Sequence, residues 1–507
     1  MITGTEMAVV DANAAALGVP RKQLMESAGN AVARVVRQVA GGDEGGSTAG
    51  EANSRPSAAG DDEAGTLAAG TDVAVVAGRG NNGGDALVAA RYLDDLDVVV
   101  HLLGRADGIS SRMASENWSA LREADCDLRE VRDSTEFALG DPNVVVDGLL
   151  GTGISGAIRE PAATAATDVN DSAAAVVAVD VPSGLNTETG EVGAGAVAAD
   201  HVVTFHEAKP GLDDLDADVT VADIGIPRAA TRFVGPGDLL RLDRDPRSHK
   251  GDHGEVLVVG GGPYAGAPAL AAQAALRAGA DLVRVACPAG VAHEIQTYAE
   301  DLIVRRFDGH ILAPQHVGQI MELAAGHDAL VVGPGAGDQE ATLEAIEGVL
   351  SAFDGTAVVD ADALQVVPGI ETTATLVCTP HQGELVDMGG PSADDWEERA
   401  ERVAAFAAEL GHTLLVKGHY DVISDGESTR VGRTGNPGMT VGGTGDVLAG
   451  ATGALAAVLD PMDAAAVAAW VNGRTGDRVV DENGYGLLAS DLLAEIPQVL
   501  WGERPGW

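Results

Sequence analysis

Two kinds of segment in this chain could carry chemistry: glycine turns that open helices, and single acids that close valine-rich runs. AGRGNNGGDALVAARYL, residues 77–93, follows such a run and opens a helical stretch, so the N–H groups of its turn would meet a phosphate at the positive helix end. Gly78, Gly80 and Gly83 spell GxGxxG, but a dinucleotide fingerprint also wants an acid closing the next strand, and here that strand ends in Gly104-Arg105. Arg105 keeps open a reading in which it meets a 2′-phosphate. Asn81, Asn82 and Asp85 exceed what a turn needs.

Asp147 in VVVDGLLGTGISG and Asp180 in VVAVDVPSGLN each end a valine-rich run, where an open parallel sheet places its ligands. The run Gly151 to Gly156 adds free amides for a second phosphate. Carboxylate, Asn amide and Ser hydroxyl oxygens are hard ligands, suited to an alkali or alkaline-earth cation and not to zinc.

In the second half, GGTGD precedes VLAGATGALAAVL. The amides around Gly443–Gly445 and the positive helix end make an anion hole for a nucleotide's phosphates. Asp446 then falls in the first helical turn, placed to take the proton of an acceptor hydroxyl in phosphoryl transfer. The plainer alternative is an acid that only complements the helix dipole. Lys417 follows HTLLV in a chain with lysine only at positions 22, 209, 250 and 417, which favours a specific task over solvation. His381 in TPHQGE reads either as a core histidine or, beside Thr379 and Glu384, as a substrate contact.

The elements that must hold these residues are short β-branched runs alternating with Ala-rich stretches, the pattern of buried parallel strands with crossover helices. The runs fall into two series, 72–184 and 254–418, separated by FVGPGDLLRLDRDPRSHKGDHG at 233–254. We therefore expect two α/β domains, 1–235 and 245–507, with a disordered surface insertion at 41–70, rich in Gly, Ala, Ser and acids.

The 507 residues carry 32 Lys+Arg against 77 Asp+Glu, a net charge of −45. Such a field repels nucleic acid and anionic lipid and suits a salt-loving cytoplasm. Three scattered cysteines, Cys126, Cys287 and Cys378, exclude a disulfide framework, and no leader or membrane span is evident. A cytoplasmic protein, without nucleic-acid or membrane partners, is expected.

GNNGGD, VVDGLLGTGISG and VDVPSGLN together resemble the NAD(P)H-hydrate epimerase domain, over about residues 1–235. The resemblance implies a Rossmann-like three-layer α/β/α fold. It implies that Asn81, Asn82, Gly83, Gly84 and Asp85, with Gly151, Thr152, Gly153, Ile154, Ser155, Gly156 and Ala157, cradle the hydrate's phosphates. Asn82, Asp147 and Ser183 would bind K+, and Asp180 would be the acid–base residue at the C6 hydroxyl. Ala86 departs from the family's usual glycine.

Residues 248–288, GPGAG, VVDADAL, TPHQGE, VKGHYDVI and GNPGMTVGGTGDVLAG resemble, in order, the ribokinase-like NAD(P)H-hydrate dehydratase domain. By resemblance Ala267, Gly337, His381 and Asp446 bind the hydrate, Asp446 being catalytic. Lys417, Gly418, His419, Tyr420 and Asp421 line the adenine nucleotide, with Gly445 at its phosphates. Glu384, Asp360 and Asp362 are candidates around Mg2+. The whole resembles a bifunctional NAD(P)H-hydrate repair enzyme of haloarchaeal type, in which NADHX and NADPHX are epimerised and the S form is dehydrated at the expense of ADP, giving AMP and phosphate. GGTGD suits ADP and ATP alike. A homo-oligomer is expected. A ribokinase-type kinase with a regulatory N-terminal half, and a nucleotide sensor without turnover, are the rival readings.

Overall fold

The computed structural model describes residues 1–41, 72–151 and 158–505. The expected insertion at 41–70, apart from Gly41, and the stretch Thr152 to Ala157 lie outside the described residues. The chain forms two compact units, Met1–Pro227 and Arg228–Trp507.

Unit 1 is built on seven strands: β1 (Asp72–Ala77), β2 (Asp97–Leu103), β3 (Asp127–Val131), β4 (Val144–Gly148), β5 (Ala175–Val179), β6 (His201–Phe205) and β7 (Asp218–Ala222). They lie in the order β3-β2-β1-β4-β5-β6-β7, all parallel. The central strands are valine-rich because both faces are covered: every residue of β4, and all of β1 after Asp72, is buried. Strand order reverses between β1 and β4, and a crevice therefore opens at their carboxyl ends.

Unit 2 has nine strands: β8 (Glu255–Val259), β9 (Leu282–Pro288), β10 (Ile303–Phe307), β11 (Ala329–Val332), β12 (Thr356–Val359), β13 (Thr375–Cys378), β14 (Thr413–Val416), β15 (Asp421–Ser424) and β16 (Thr429–Gly432). The order is β10-β9-β8-β11-β12-β13-β14-β15-β16, parallel up to β14 and antiparallel beyond it. Alternation sorts the strand residues between two cores. Val256, Val258, Val331 and Val358 join one, and Leu257, Val259, Leu330 and Val359 the other. Here the order reverses between β8 and β11.

Residues 228–235, expected in the first domain, and the junction expected at 235–245 both fall in unit 2. Val234 N donates to Val431 O at 3.0 Å, and Arg430 holds both Phe233 O and the buried Asp238 carboxyl at 3.1 Å. Polar composition hid this, because an edge strand gains partners without needing a hydrophobic run. Among the described residues no helix is long and apolar enough to cross a membrane, and the three cysteines are free.

Candidate active sites

Unit 1 opens a cavity of about 780 Å³ at the carboxyl ends of β1, β4, β5 and β6, lined by Gly78–Gly83, Leu149–Gly151, Asp180 and Lys209 among others. The GNNGGD turn begins the helix Asn81–Tyr92, whose Gly80 N-cap offers no side chain, so its first amides are left for a ligand. The departure at Ala86 is accommodated locally: a Cβ on Gly148 would stand 2.5 Å from the Ala86 methyl, so glycine at 148 makes room for alanine at 86. Arg105, the residue behind the dehydrogenase reading, pairs with Asp107 at 3.3 Å on the surface and does not line the cavity.

Asp180 follows β5 with φ +63°, a left-handed conformation that Asp tolerates better than most residues. Three donors converge on its Oδ1: Lys209 Nζ at 2.5 Å, Thr204 Oγ1 at 3.1 Å and Phe205 N at 3.3 Å. Lys209 is 1% exposed and also donates to Thr204 Oγ1 at 2.9 Å and Phe205 O at 3.0 Å. Among the described residues Oδ2 has no partner, so it is the oxygen available to a substrate. Burial holds Asp85 well above the usual carboxylate range, with Asp180 and Asp11 adding to the effect. Burial likewise raises Asp11 to about 6, Arg21 opposing it.

The three residues expected to hold a cation meet around one peptide. Ser183 Oγ donates to Asp147 Oδ1 at 2.6 Å and accepts from Leu150 N at 2.9 Å, while Asn82 Nδ2 donates to Leu150 O at 2.8 Å. Asp147 is completely buried, and its partners are Ser183 and the Leu149 amide, with no cationic side chain. Burial raises its pKa and those hydrogen bonds lower it in part. The Asp147 carboxylate is thus buried without a positive partner, held by two backbone amides and one hydroxyl.

In unit 2 the helix Thr444–Ala456 begins at Gly443, which is left-handed and supplies no side-chain cap. The helix is held against Gly266–Arg277 by backbone proximity: a Cβ on Gly450 would stand 1.9 Å from Ala271 O. The GGTGD motif meets the same helix at Leu270, 2.9 Å from a Cβ on Gly443, and Ala267 of that helix lies near the GPGAG loop: a Cβ on Gly335 would be 3.3 Å from Ala267 Cβ, and one on Gly337 2.9 Å from Pro263. The two loops follow β8 and β11, the pair that flanks the reversal.

Lys417 follows β14 and reaches the same helix start, where a Cβ on Gly445 would stand 3.4 Å from its Nζ. Nζ pairs with Asp360 Oδ1 at 2.9 Å and Glu384 Oε2 at 3.7 Å. Burial works against this ammonium, but Asp360, Glu384 and Asp446 outweigh it and raise its pKa. Asp446 is pushed up to about 7 by burial and by Asp360, Lys417 opposing. Asp360 is buried against Thr379 Oγ1 at 2.8 Å. Replacing Lys417 by Met leaves that carboxylate buried and unpaired; unit 2 is expected to lose about 3–5 kcal/mol, read as a lower melting temperature.

His381 is not a core residue: its side chain is 60% exposed. Its Nδ1 caps the helix Gln382–Asp387, accepting from Gly383 N at 2.9 Å and Glu384 N at 3.1 Å, and its Nε2 lies 3.6 Å from Glu384 Oε1. The β14–β15 turn carries Gly418 to Asp421. Gly418 N donates to Asp421 Oδ1 at 2.8 Å, and burial lifts that carboxyl to about 7. Tyr420 stacks on Trp396 at 4.9 Å, and Arg399 donates to Tyr420 O at 2.5 Å, so the turn is fixed from outside. Of the acids named as outer contacts around Mg2+, Asp360 and Glu384 flank Lys417, while burial raises the Asp362 pKa with Asp338 adding to the effect. Among the described residues no group of three His, Cys, Asp or Glu could hold a metal.

Lys209, Asp11 and Trp396 were not singled out as site residues by sequence. The scarcity of lysine marked Lys209, and Asp11 is the one acid of an Ala/Val-rich helix beyond its Glu6 cap; Trp396 carried no signal.

Residues 21–211 match the family described as YjeF-related protein N-terminus, and residues 256–498 match NAD(P)H-hydrate dehydratase. The "Bifunctional NAD(P)H-hydrate repair enzyme Nnr" of Methanothermobacter thermautotrophicus is 42% identical, over 98% of this chain and 94% of its own length. The protein of the same name from Pyrobaculum aerophilum is also 42% identical, over 98% of both chains. A crystal structure of the ADP/ATP-dependent NAD(P)H-hydrate dehydratase from Bacillus subtilis, co-crystallised with ATP/Mg2+, is 27% identical over 54% of this chain and 98% of that one, with a TM-score of 0.47. Matched by both family descriptions and aligned with such relatives along nearly its whole length, the chain belongs to the bifunctional NAD(P)H-hydrate repair enzymes.

Proposed function

We propose that unit 1 interconverts the R and S hydrates of NADH and NADPH and that unit 2 dehydrates the S form with ADP, giving AMP and phosphate. The observation that carries this reading is a pair of separate acid centres, each at the carboxyl ends of a parallel sheet in a unit with an uncapped helix start: Asp180 with Lys209, and Asp446 with Lys417.

In unit 2, Asp446 takes the proton of the hydrate's C6 hydroxyl as that oxygen attacks the terminal phosphoryl of ADP, and AMP leaves. The Gly443–Gly445 amides and Lys417 stabilise the charge on the transferring group. The N1 lone pair then expels phosphate from C6, and loss of a C5 proton restores the ring double bond. Ala267 and Gly337 contact the hydrate, His381 offers it Nε2, and the Gly418–Asp421 turn holds the nucleotide.

In unit 1, Asn81–Asp85 and Gly151, continued by Thr152–Ala157, bind the hydrate's phosphates, and Asp180 Oδ2 faces C6. Asn82, Asp147 and Ser183 would hold K+, which would supply positive charge beside the buried Asp147 carboxylate. Exchanging KCl for choline chloride at equal ionic strength is expected to lower the melting temperature of the wild-type protein and to leave Asp147→Asn unaffected. Equal shifts in both would remove K+ from this site.

The experiment that tests the function supplies both hydrates with ADP and counts products. One AMP and one free phosphate per recovered dihydronicotinamide supports it. A phosphorylated hydrate that accumulates instead supports the kinase alternative.

A further inference from the structure

We infer that Asp11 is the second proton-transfer group of the epimerase, acting on the ring nitrogen while Asp180 acts on the C6 oxygen. The inference rests on the role proposed above for Asp180.

Its placement begins at the N-terminus. Thr3 and Glu6 form a capping box, with Thr3 N donating to Glu6 Oε2 at 2.8 Å and Glu6 N to Thr3 Oγ1 at 3.2 Å, and this starts the helix Gly4–Ala16. Ile2 N donates to Ala208 O at 2.9 Å, tying that start to the residue before Lys209. Two turns on, Asp11 lines the cavity that Asp180 and Lys209 also line. Its Oδ1 is buried, and among the described residues it meets no hydrogen-bond donor. Such an orphan costs stability unless something fills the gap. Val9, Val10, Ala12 and Ala14 of the same helix are buried apolar residues, so packing alone would be better served by another of them.

The chemistry needs two groups. Inverting C6 by ring opening breaks the C6–N1 bond: the hydroxyl proton passes to the Asp180 carboxylate, C6 becomes an aldehyde, and the bond's electron pair goes to N1. N1 takes a proton from the Asp11 carboxyl. Rotation about C5–C6 presents the other carbonyl face, N1 attacks it, Asp11 recovers its proton, and Asp180 returns one to the oxygen. No proton or electron is gained or lost over the cycle. The charged groups around Asp11 are Arg21 on the following helix, Asp85 on the phosphate-cradle helix, and Asp180 and Lys209 from the strand ends. Burial, opposed chiefly by Arg21, lifts Asp11 to about 6, so its acid form is present near neutrality.

The test follows exchange between separated R and S hydrates by chromatography, in the full chain, without nucleotide. Wild-type kcat/KM is expected to fall as pH rises through about 6. Asp11→Asn is expected to lose roughly 10²–10⁴-fold in exchange rate and to lose that limb, while still dehydrating the S form with ADP at the wild-type rate. Asp11→Glu, which keeps the carboxyl, is expected to recover most of the rate. Exchange within threefold of wild type in Asp11→Asn, a lower rate with the limb intact, or a wild-type profile flat across pH 5–7 would each overturn the assignment. Asp180→Asn in the same assay separates the two ideas: if it exchanges normally, the Asp180 reading fails, whatever Asp11 does.

Discussion

Asp446→Asn is expected to abolish recovery of NADH from its hydrates while R–S exchange continues at the wild-type rate. The substitution keeps the shape of the side chain and the helix start but removes the proton acceptor, a loss of roughly 10²–10⁴-fold. Because the two centres lie in units with separate sheets and cores, a change in one should leave the other folded. The pH profile gives an independent check. Burial and Asp360 raise Asp446 to about 7, and the active form is the carboxylate. Dehydration should therefore rise with pH through about 7 and level off above it, and residual activity in Asp446→Asn should be flat there. A variant that retains more than a tenth of the wild-type rate would remove Asp446 as the base.

The complementary result is a partial one. With Asp180→Asn, a mixture of both hydrates and ADP should recover only the S fraction as NADH and then stop, where the wild-type protein goes to completion. Asn is the right replacement because it tolerates the left-handed backbone at 180, whereas Ala would mix strain with lost chemistry. Lys209→Met should behave alike for a different reason. The ammonium orients Oδ1 through a 2.5 Å bond and balances the carboxylate's charge, and its removal leaves Asp180 partly buried and unpaired, at about 3–5 kcal/mol in stability. A plateau above the S fraction in Asp180→Asn, beyond what uncatalysed exchange supplies, would contradict the assignment.

These predictions separate what the sequence made legible from what it hid. Both sheets were readable because the parallel strands are covered on both faces, which leaves uninterrupted Val/Leu runs such as EVLVV and DALVV. The glycine turns were readable because a helix start that binds phosphate cannot carry its own cap. Lys209 was not, since its partnership with Asp180 spans 29 residues and is made by the end of a neighbouring strand. The pairing of Lys417 with Asp360, 57 residues apart, was hidden for the same reason. His381 shows the opposite failure. The His381…Glu384 spacing is that of a capping box, a local signal that a functional reading passed over, and the structure uses Nδ1 for it. Asp11 lay in a helix whose buried residues are, apart from Asn13, apolar, where one acid reads as an exposed position until the cavity beside it is seen.

The most direct test of two consecutive steps on one chain starts from the purified R hydrate alone, in high KCl with ADP and Mg2+, and follows epimer composition and near-ultraviolet absorbance together. The account predicts full conversion to NADH by the wild-type protein, an R–S mixture without NADH in Asp446→Asn, and unchanged R hydrate, apart from uncatalysed exchange, in Asp180→Asn. Dehydration of the R hydrate by Asp180→Asn at the wild-type rate, or failure of the wild-type protein to consume it, would contradict the division of labour between the two units.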